Sequence, residues 1–218
     1  MKRLFPSYAG FFTKRRVRSL ALGVLLLAIS FFLLGRAAAY STRSAGPFVG
    51  DVFLDNLPVV DLNIIIIEGA FVTVAFGIVL VLSKPSYLLF TLKAVAFFVI
   101  TRAFFISLTH LGIYPGQIVP SDGFMDRMYV AFDLQAGYFF SAHTGLPFLM
   151  ALIFWNKRLL RFVFLLLSAV FGISVLFAHV HYSIDVFAAP FITYCIFEAA
   201  KYLFPEDYEL VRSAPVVV

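Results

Sequence analysis

The sequence predicts an all-α fold: a polytopic membrane bundle of six transmembrane helices with both termini in the cytoplasm. Composition, the length of the apolar runs and the placement of Lys and Arg each point there. Of the 218 residues, 62% are hydrophobic and 13% are charged, and 28 are Phe. A water-soluble chain of this size cannot cover so apolar a core with so few charges, which makes lipid the expected covering solvent. A helix that crosses ~30 Å of hydrocarbon needs roughly 20 apolar residues. Six stretches meet that length.

A basic segment, residues 1–18, precedes the first span, Ser19 to Ala39. The basic start followed by Ala37-Ala38-Ala39 also has the outline of a signal peptide with its cleavage site, but the apolar run is long for one. The second span covers Val59 to Leu82, with Asp61 and Asn63 near its outer end and Glu68 deeper. The third, Ser86 to Leu108, follows Pro85 and carries Lys93 and Arg102. Opposite charges in hydrocarbon are expected to pair, so a Glu68–Lys93 contact is predicted.

The longest polar stretch between spans, Thr109 to Ala136, holds Pro115, Gly116, Pro120, Gly123, Asp122, Asp126 and Asp133. It reads either as a lid or amine-binding loop or as a solvated connection. The fourth span covers Gly137 to Trp155, the fifth Leu159 to Ala178, and the sixth Ser183 to Phe204, where Pro205 ends it. Residues 19–204 thus form one six-helix membrane domain. Residues 205–218 are expected to be a cytoplasmic tail, disordered from Ser213 onward. Cys195 is the one cysteine and is expected to pack in the interior.

The basic residues set the direction of these spans. With the N-terminus in the cytoplasm, that side receives Lys14, Arg15, Arg16, Arg18, Lys84, Lys157, Arg158, Arg161, Lys201 and Arg212, as well as Lys2 and Arg3. The other side receives Arg36, Arg43 and Arg127, against Asp51, Asp55, Asp122, Asp126 and Asp133. This is the positive-inside pattern. The net charge of +5 therefore lies in membrane-flanking anchors, which argues against nucleic-acid binding.

That direction brings three distant polar residues to one level near the outer face. His143 lies about two turns into the fourth span, His181 lies in the turn before the sixth, and Asp185 begins the sixth. Such residues inside a membrane are a site hypothesis by default. His181 and Asp185 stand i to i+4, on one helical face. A carboxylate there takes the proton of one imidazole nitrogen and leaves the other basic, as a nucleophile requires. A second imidazole at that level is equipped to protonate a leaving oxygen. These groups suffice for phosphoryl transfer through a phosphohistidine, with no metal or other cofactor needed.

Blander readings stand beside this one. His143 fits an interfacial packing residue, and Asp185 fits a carboxylate at a helix N-terminus. A metal site built from His143, His179, His181 and Asp185 is a third reading, although His-x-His does not resemble a helical ligand pair. Arg102, near the outer end of the third span, is suited to clamp phosphate oxygens or to snorkel to the interface.

The segments Phe140-Ser141-Ala142-His143-Thr144 and His181-Tyr182-Ser183-Ile184-Asp185-Val186 resemble the two signature motifs of sphingomyelin synthase-like proteins. These belong to the type 2 phosphatidic acid phosphatase (PAP2) superfamily. The stretch from Arg102 to Thr109, with Leu111, Pro115 and Gly116, is similar to that family's third-span motif. The resemblance implies His181 as nucleophile, Asp185 as its orienting carboxylate and His143 as proton donor. Arg102, Ser141, Thr144 and Tyr182 would then contact substrate.

The sequence departs from the family in several places. Ala142 replaces the usual glycine, and Gly137 stands where the synthases tend to have an aspartate. The arginine that precedes the nucleophile in the classical phosphatases is Val175 here, although Ser174 fits. No Lys-x6-Arg-Pro motif is present. The synthase branch fits better, and head-group choice stays open.

The activity this implies moves a phospho-alcohol head group from a membrane phospholipid donor to a lipid alcohol such as ceramide or diacylglycerol, at the extracytoplasmic or lumenal leaflet. Two alternatives remain at this point: a lipid phosphate phosphatase acting on phosphatidate or a polyprenyl diphosphate, and a non-catalytic lipid-binding or transport protein.

Overall fold

Thr13 opens the first helix by accepting a hydrogen bond from the Arg16 N–H at its hydroxyl (3.3 Å). From there helix α1 runs over Lys14–Arg43, longer than the apolar run alone. The structure is a computed structural model and describes residues 10–120, 123–124, 127 and 139–214. Among the described residues every regular element is helical. After α1 come α2 (Gly69–Ser83), α3 (Pro85–Leu108), α4 (Ala142–Ile153), α5 (Arg158–Phe177), α6 (Ser183–Leu203) and α7 (Pro205–Arg212).

Among the described residues five helical stretches are long and apolar enough to cross a membrane: α1, α2 with its preceding turn, α3, α5 and α6. This is consistent with an integral membrane protein. Large apolar side chains cover their outer surfaces, among them Leu25 and Phe32 on α1, Val72 on α2, Phe162 on α5 and Phe191 on α6.

Three spans differ from their predicted limits. The second begins at Ile64 rather than Val59. Pro58 and an Asp61 carboxylate that accepts the Asn63 N–H (3.0 Å) hold the preceding residues out of the helix. Asp61 and Asn63 therefore lie before that helix, and Asn63 Nδ2 donates to the Val119 carbonyl (2.9 Å). The first turn, Ile64–Glu68, is π-helical, with the Gly69 N–H bonded to the Ile64 carbonyl five residues back.

The fourth span is shorter. Helix α4 has 12 residues, starts after its cap Ser141 and contains Pro147. The predicted start at Gly137 lies outside the described residues, as do Asp122, Asp126 and Asp133. Beyond the sixth span the expected tail forms a further helix, α7, whose Pro205 occupies the first turn with Glu206 and Asp207. Cys195 is exposed on α6 rather than packed inside.

Helix α3 is the most buried of the spans, with buried residues around most of its circumference from Tyr87 to Ala103. Lipid is as apolar as the side chains, so association here rests on packing contacts rather than on escape from water. Aromatic rings supply much of it. Tyr87 stacks on Phe154 (4.6 Å between centroids), and Phe98 meets Phe140 edge to face (5.2 Å). Gly145 lets α4 approach closely: a Cβ there would lie 2.8 Å from the Phe98 ring and 3.0 Å from Thr193 Oγ1.

The buried charge of α3 is paired, but not as predicted. Lys93 Nζ bonds the Asp207 carboxylate of α7 and the Ser19 hydroxyl of α1 (2.7 Å), and Ser19 Oγ donates to Asp207 (2.8 Å). Glu68 takes no part. A lysine nine positions into a span reaches back along its own helix toward the end where α1 begins, and α7 supplies the anion there. The same end carries the Arg15–Glu206 ion pair, so the two described ends of the chain meet at one face. The network also fixes α1 as part of the bundle, with Ala37 and Ala38 buried inside it.

Candidate active site

The junction between α5 and α6 is built by the backbone. Helix α5 ends in a Schellman arrangement: the His179 N–H bonds the Leu176 carbonyl (3.0 Å) and the Val180 N–H bonds the Val175 carbonyl (2.9 Å). His179 takes the left-handed position with φ 54°. A non-glycine residue is uncommon there, which marks the turn as specified by its surroundings. Its ring is buried edge-on against Tyr114 (5.3 Å).

Two residues later His181 meets Asp185. Nδ1 of His181 lies 3.3 Å from Asp185 Oδ2, and the same oxygen accepts the Tyr182 N–H (3.0 Å). Both side chains are buried, Asp185 completely. This is the orienting geometry expected from the i, i+4 spacing.

His143 comes from the other segment. It stands second in α4, close to the helix N-terminus rather than two turns deep. Its ring centroid is 6.0 Å from that of His181. It hydrogen-bonds the Ile66 backbone in the π-helical turn before α2, a place where irregular helix geometry often marks function. The Ser141 N–H donates to the Asp185 carbonyl (3.0 Å), tying the start of α4 to the first turn of α6.

Arg102 is buried on α3, and its guanidinium bonds the Phe140 carbonyl just before α4. That bond holds Arg102 at the turn leading into α4, three residues before His143. Ser141 caps α4 by accepting the Thr144 N–H (3.4 Å), and Ser168 Oγ donates to the Thr144 carbonyl (2.8 Å). Tyr182 is buried, with its hydroxyl donating to the Gly112 carbonyl (2.9 Å). The structure thus brings His143, His181, Asp185, Arg102, Ser141 and Thr144 together, and it engages the Tyr182 hydroxyl with the loop above. Among the described residues no group of three or more His, Cys, Asp or Glu side chains is arranged to hold a metal ion.

Residues 136–202 match the family model for the PAP2 superfamily C-terminal domain. This segment resembles a PAP2-type domain. The match covers about a third of the chain, includes both histidine segments and supports membership of the superfamily, whose members are phosphatases and phosphotransferases. The chain is accordingly an enzyme of that broad type. No curated protein and no solved structure matches it significantly.

The matched segment leans on residues outside it that the sequence did not single out. Asp51, in the loop after α1, accepts the Ser183 N–H at the start of α6 (2.7 Å). Its other oxygen accepts the N–H groups of Phe53 (2.9 Å) and Leu54 (3.2 Å). Burial raises the Asp51 pKa, but these hydrogen bonds outweigh it and leave the carboxyl below its ordinary value. Asp55 accepts the Asp51 N–H (3.1 Å) and the Tyr114 hydroxyl. That bond, together with burial and the nearby carboxylates, pushes the Tyr114 phenol up to about 12. An acidic residue 132 positions before the N–H it caps carries no local signal in the sequence.

Proposed function

We propose that the chain is a lipid head-group phosphotransferase of sphingomyelin-synthase type that works through a phosphohistidine. The observation that carries this is the buried His181–Asp185 pair with the His143 ring beside it. Asp185 holds the proton on Nδ1 of His181 and leaves Nε2 as the nucleophile. Nε2 attacks phosphorus of the donor phospholipid, and the bond from phosphorus to the diacylglycerol oxygen breaks. His143 gives that oxygen its proton. In the second step the hydroxyl of an acceptor lipid attacks the phosphohistidine, returns a proton to His143 and releases His181. Arg102 and the N-terminal end of α4 offer positive charge to the phosphate oxygens through both steps.

The protein is proposed to span the bilayer six times, with α4 as the short fourth span and both termini in the cytoplasm. The Lys and Arg distribution supports this direction and turns the histidines toward the extracytoplasmic or lumenal leaflet. If water replaces the acceptor lipid, this intermediate releases free phospho-alcohol, and with a lipid phosphate monoester as donor the same residues release phosphate, which makes the enzyme a lipid phosphate phosphatase; the PAP2 match supports transfer and hydrolysis equally.

Mass spectrometry of lipids after incubating the purified protein with isotope-labelled phospholipid, with and without ceramide, tests the reading. A labelled head group on ceramide is the expected product, and free phospho-alcohol or phosphate alone would replace transfer by hydrolysis. His181→Ala should abolish turnover of either kind, so a fully active variant sinks the mechanism.

A further inference from the structure

The end of the bundle opposite the histidines holds a cavity of about 350 Å³ between α6, α7 and the C-terminal end of α4. That volume lies within the range of small-ligand sites. Along α6 it is roughly 24 Å from Asp185, sixteen residues at 1.5 Å each. It is remote from every group used by the chemistry above.

The lining carries both signs of charge and several rings. Glu198 and Lys201 come from α6, Arg212 from α7, and Trp155, Tyr194 and Tyr208 add aromatic faces. Lys201 Nζ donates to both Glu198 oxygens (2.9 and 2.8 Å) and lies 5.2 Å from the Tyr208 ring centre. Arg212 has one nitrogen 3.4 Å from Glu209 and a largely exposed side chain, so most of its five donors face solvent or a ligand. A purely anionic group would meet the Glu198 carboxylate, and a purely cationic one would meet Lys201 and Arg212. A dipolar group satisfies all three: its phosphate pairs with Lys201 and Arg212, and its ammonium with Glu198 and the aromatic faces. The cavity lies at one end of the spanning helices, where such head groups are found.

We propose that this cavity binds the head group of a zwitterionic phospholipid at the face opposite the histidine site, as a second lipid site distinct from the catalytic one. The inference does not depend on phosphohistidine chemistry and stands or falls separately from it.

Trp155 lines the cavity and is the only tryptophan in the sequence, so its fluorescence reports on this place alone. The test uses the full-length protein in detergent micelles, phosphatidylcholine with a nitroxide on its head group as quencher, and dihexanoyl lipids as competitors. Saturable quenching that excess dihexanoyl-phosphatidylcholine relieves is the expected result, with dihexanoyl-phosphatidylglycerol competing about tenfold less well. Glu198→Gln and Lys201→Met should each raise the half-saturating concentration about tenfold, the value of one charge-assisted hydrogen bond. Tyr194→Leu, at a half-exposed position that does not hold the core, should weaken it several-fold with the helical circular dichroism unchanged. Quenching that does not saturate, that is equal in all variants, or that phosphatidylglycerol relieves as well as phosphatidylcholine does, overturns the proposal.

Discussion

The Ser141 N–H and the Asp185 carbonyl are joined by a 3.0 Å hydrogen bond, so two segments 44 residues apart in sequence share one backbone link at the site. Because the link uses the main chain of Asp185, the carboxylate can be altered without cutting it. Asp185→Asn keeps size and shape but removes the charge that orients His181 and stabilises its protonated form. Turnover is expected to fall about 10³-fold or more, mainly in kcat, with little change in KM. The measurement is lipid turnover by mass spectrometry across substrate concentration. Activity within tenfold of the unaltered enzyme would remove Asp185 from the mechanism.

How much of this was legible beforehand depended on whether the controlling interaction was local. The spans were readable because hydropathy and length are local properties, and the His181–Asp185 contact because i, i+4 spacing fixes it. Pro205, Glu206 and Asp207 carried a helix-start signature for α7, but eight residues are too few to stand out from a tail. Depth alone pairs Lys93 with Glu68, and it carries no information on which way the lysine chain runs. The lysine chain reaches several ångströms along its helix, which made Asp207 accessible. Asp51, the Ile66 backbone and the Ser141–Asp185 link are long-range contacts with no periodicity to reveal them.

Gly145 tests whether close approach of α4 to α3 sets the site. The Cβ of Gly145→Ala would fall 2.8 Å from the buried Phe98 ring, which has no room to swing aside. Overpacking of this kind costs about 1–3 kcal/mol. Since His143 is two residues away, the variant should lose activity as well as thermal stability. Unchanged melting together with unchanged turnover would mean that α4 shifts freely and that the packing is not restrictive.

Asp51 links acid stability to the α6 N-terminus. Burial raises its pKa, but the charged form accepts backbone N–H groups from Ser183, Leu54 and Phe53, which holds the carboxyl below its ordinary value in the folded protein. A depressed carboxyl stabilises the folded state above its unfolded pKa, and the contribution is lost as pH falls through the folded value. Asp51→Asn should therefore lower the melting temperature at pH 7, and the difference should shrink below about pH 3.8. Melting in micelles at pH 7 and pH 3 measures both. An equal difference at the two pH values would show that shape rather than charge matters at this cap.

The Lys93–Asp207 pair offers the sharpest separation of stability from chemistry, because it lies at the opposite end of the bundle from the histidines. Both groups are buried, so removing one partner strands the other charge. Lys93→Met or Asp207→Leu alone should each cost about 3–5 kcal/mol, since an unpaired ion in low dielectric is expensive to keep. Ser19 cannot compensate, as one hydroxyl offers a hydrogen bond but no charge. The double substitution replaces both ions with apolar groups and should recover most of the loss. In all three variants the surviving folded enzyme should keep the KM of the original, because no substrate group is near. Additive losses in the double variant would mean that the two residues act independently, and that α7 is held by its apolar contacts with Phe90 and Phe197 through Tyr208 rather than by the charge pair.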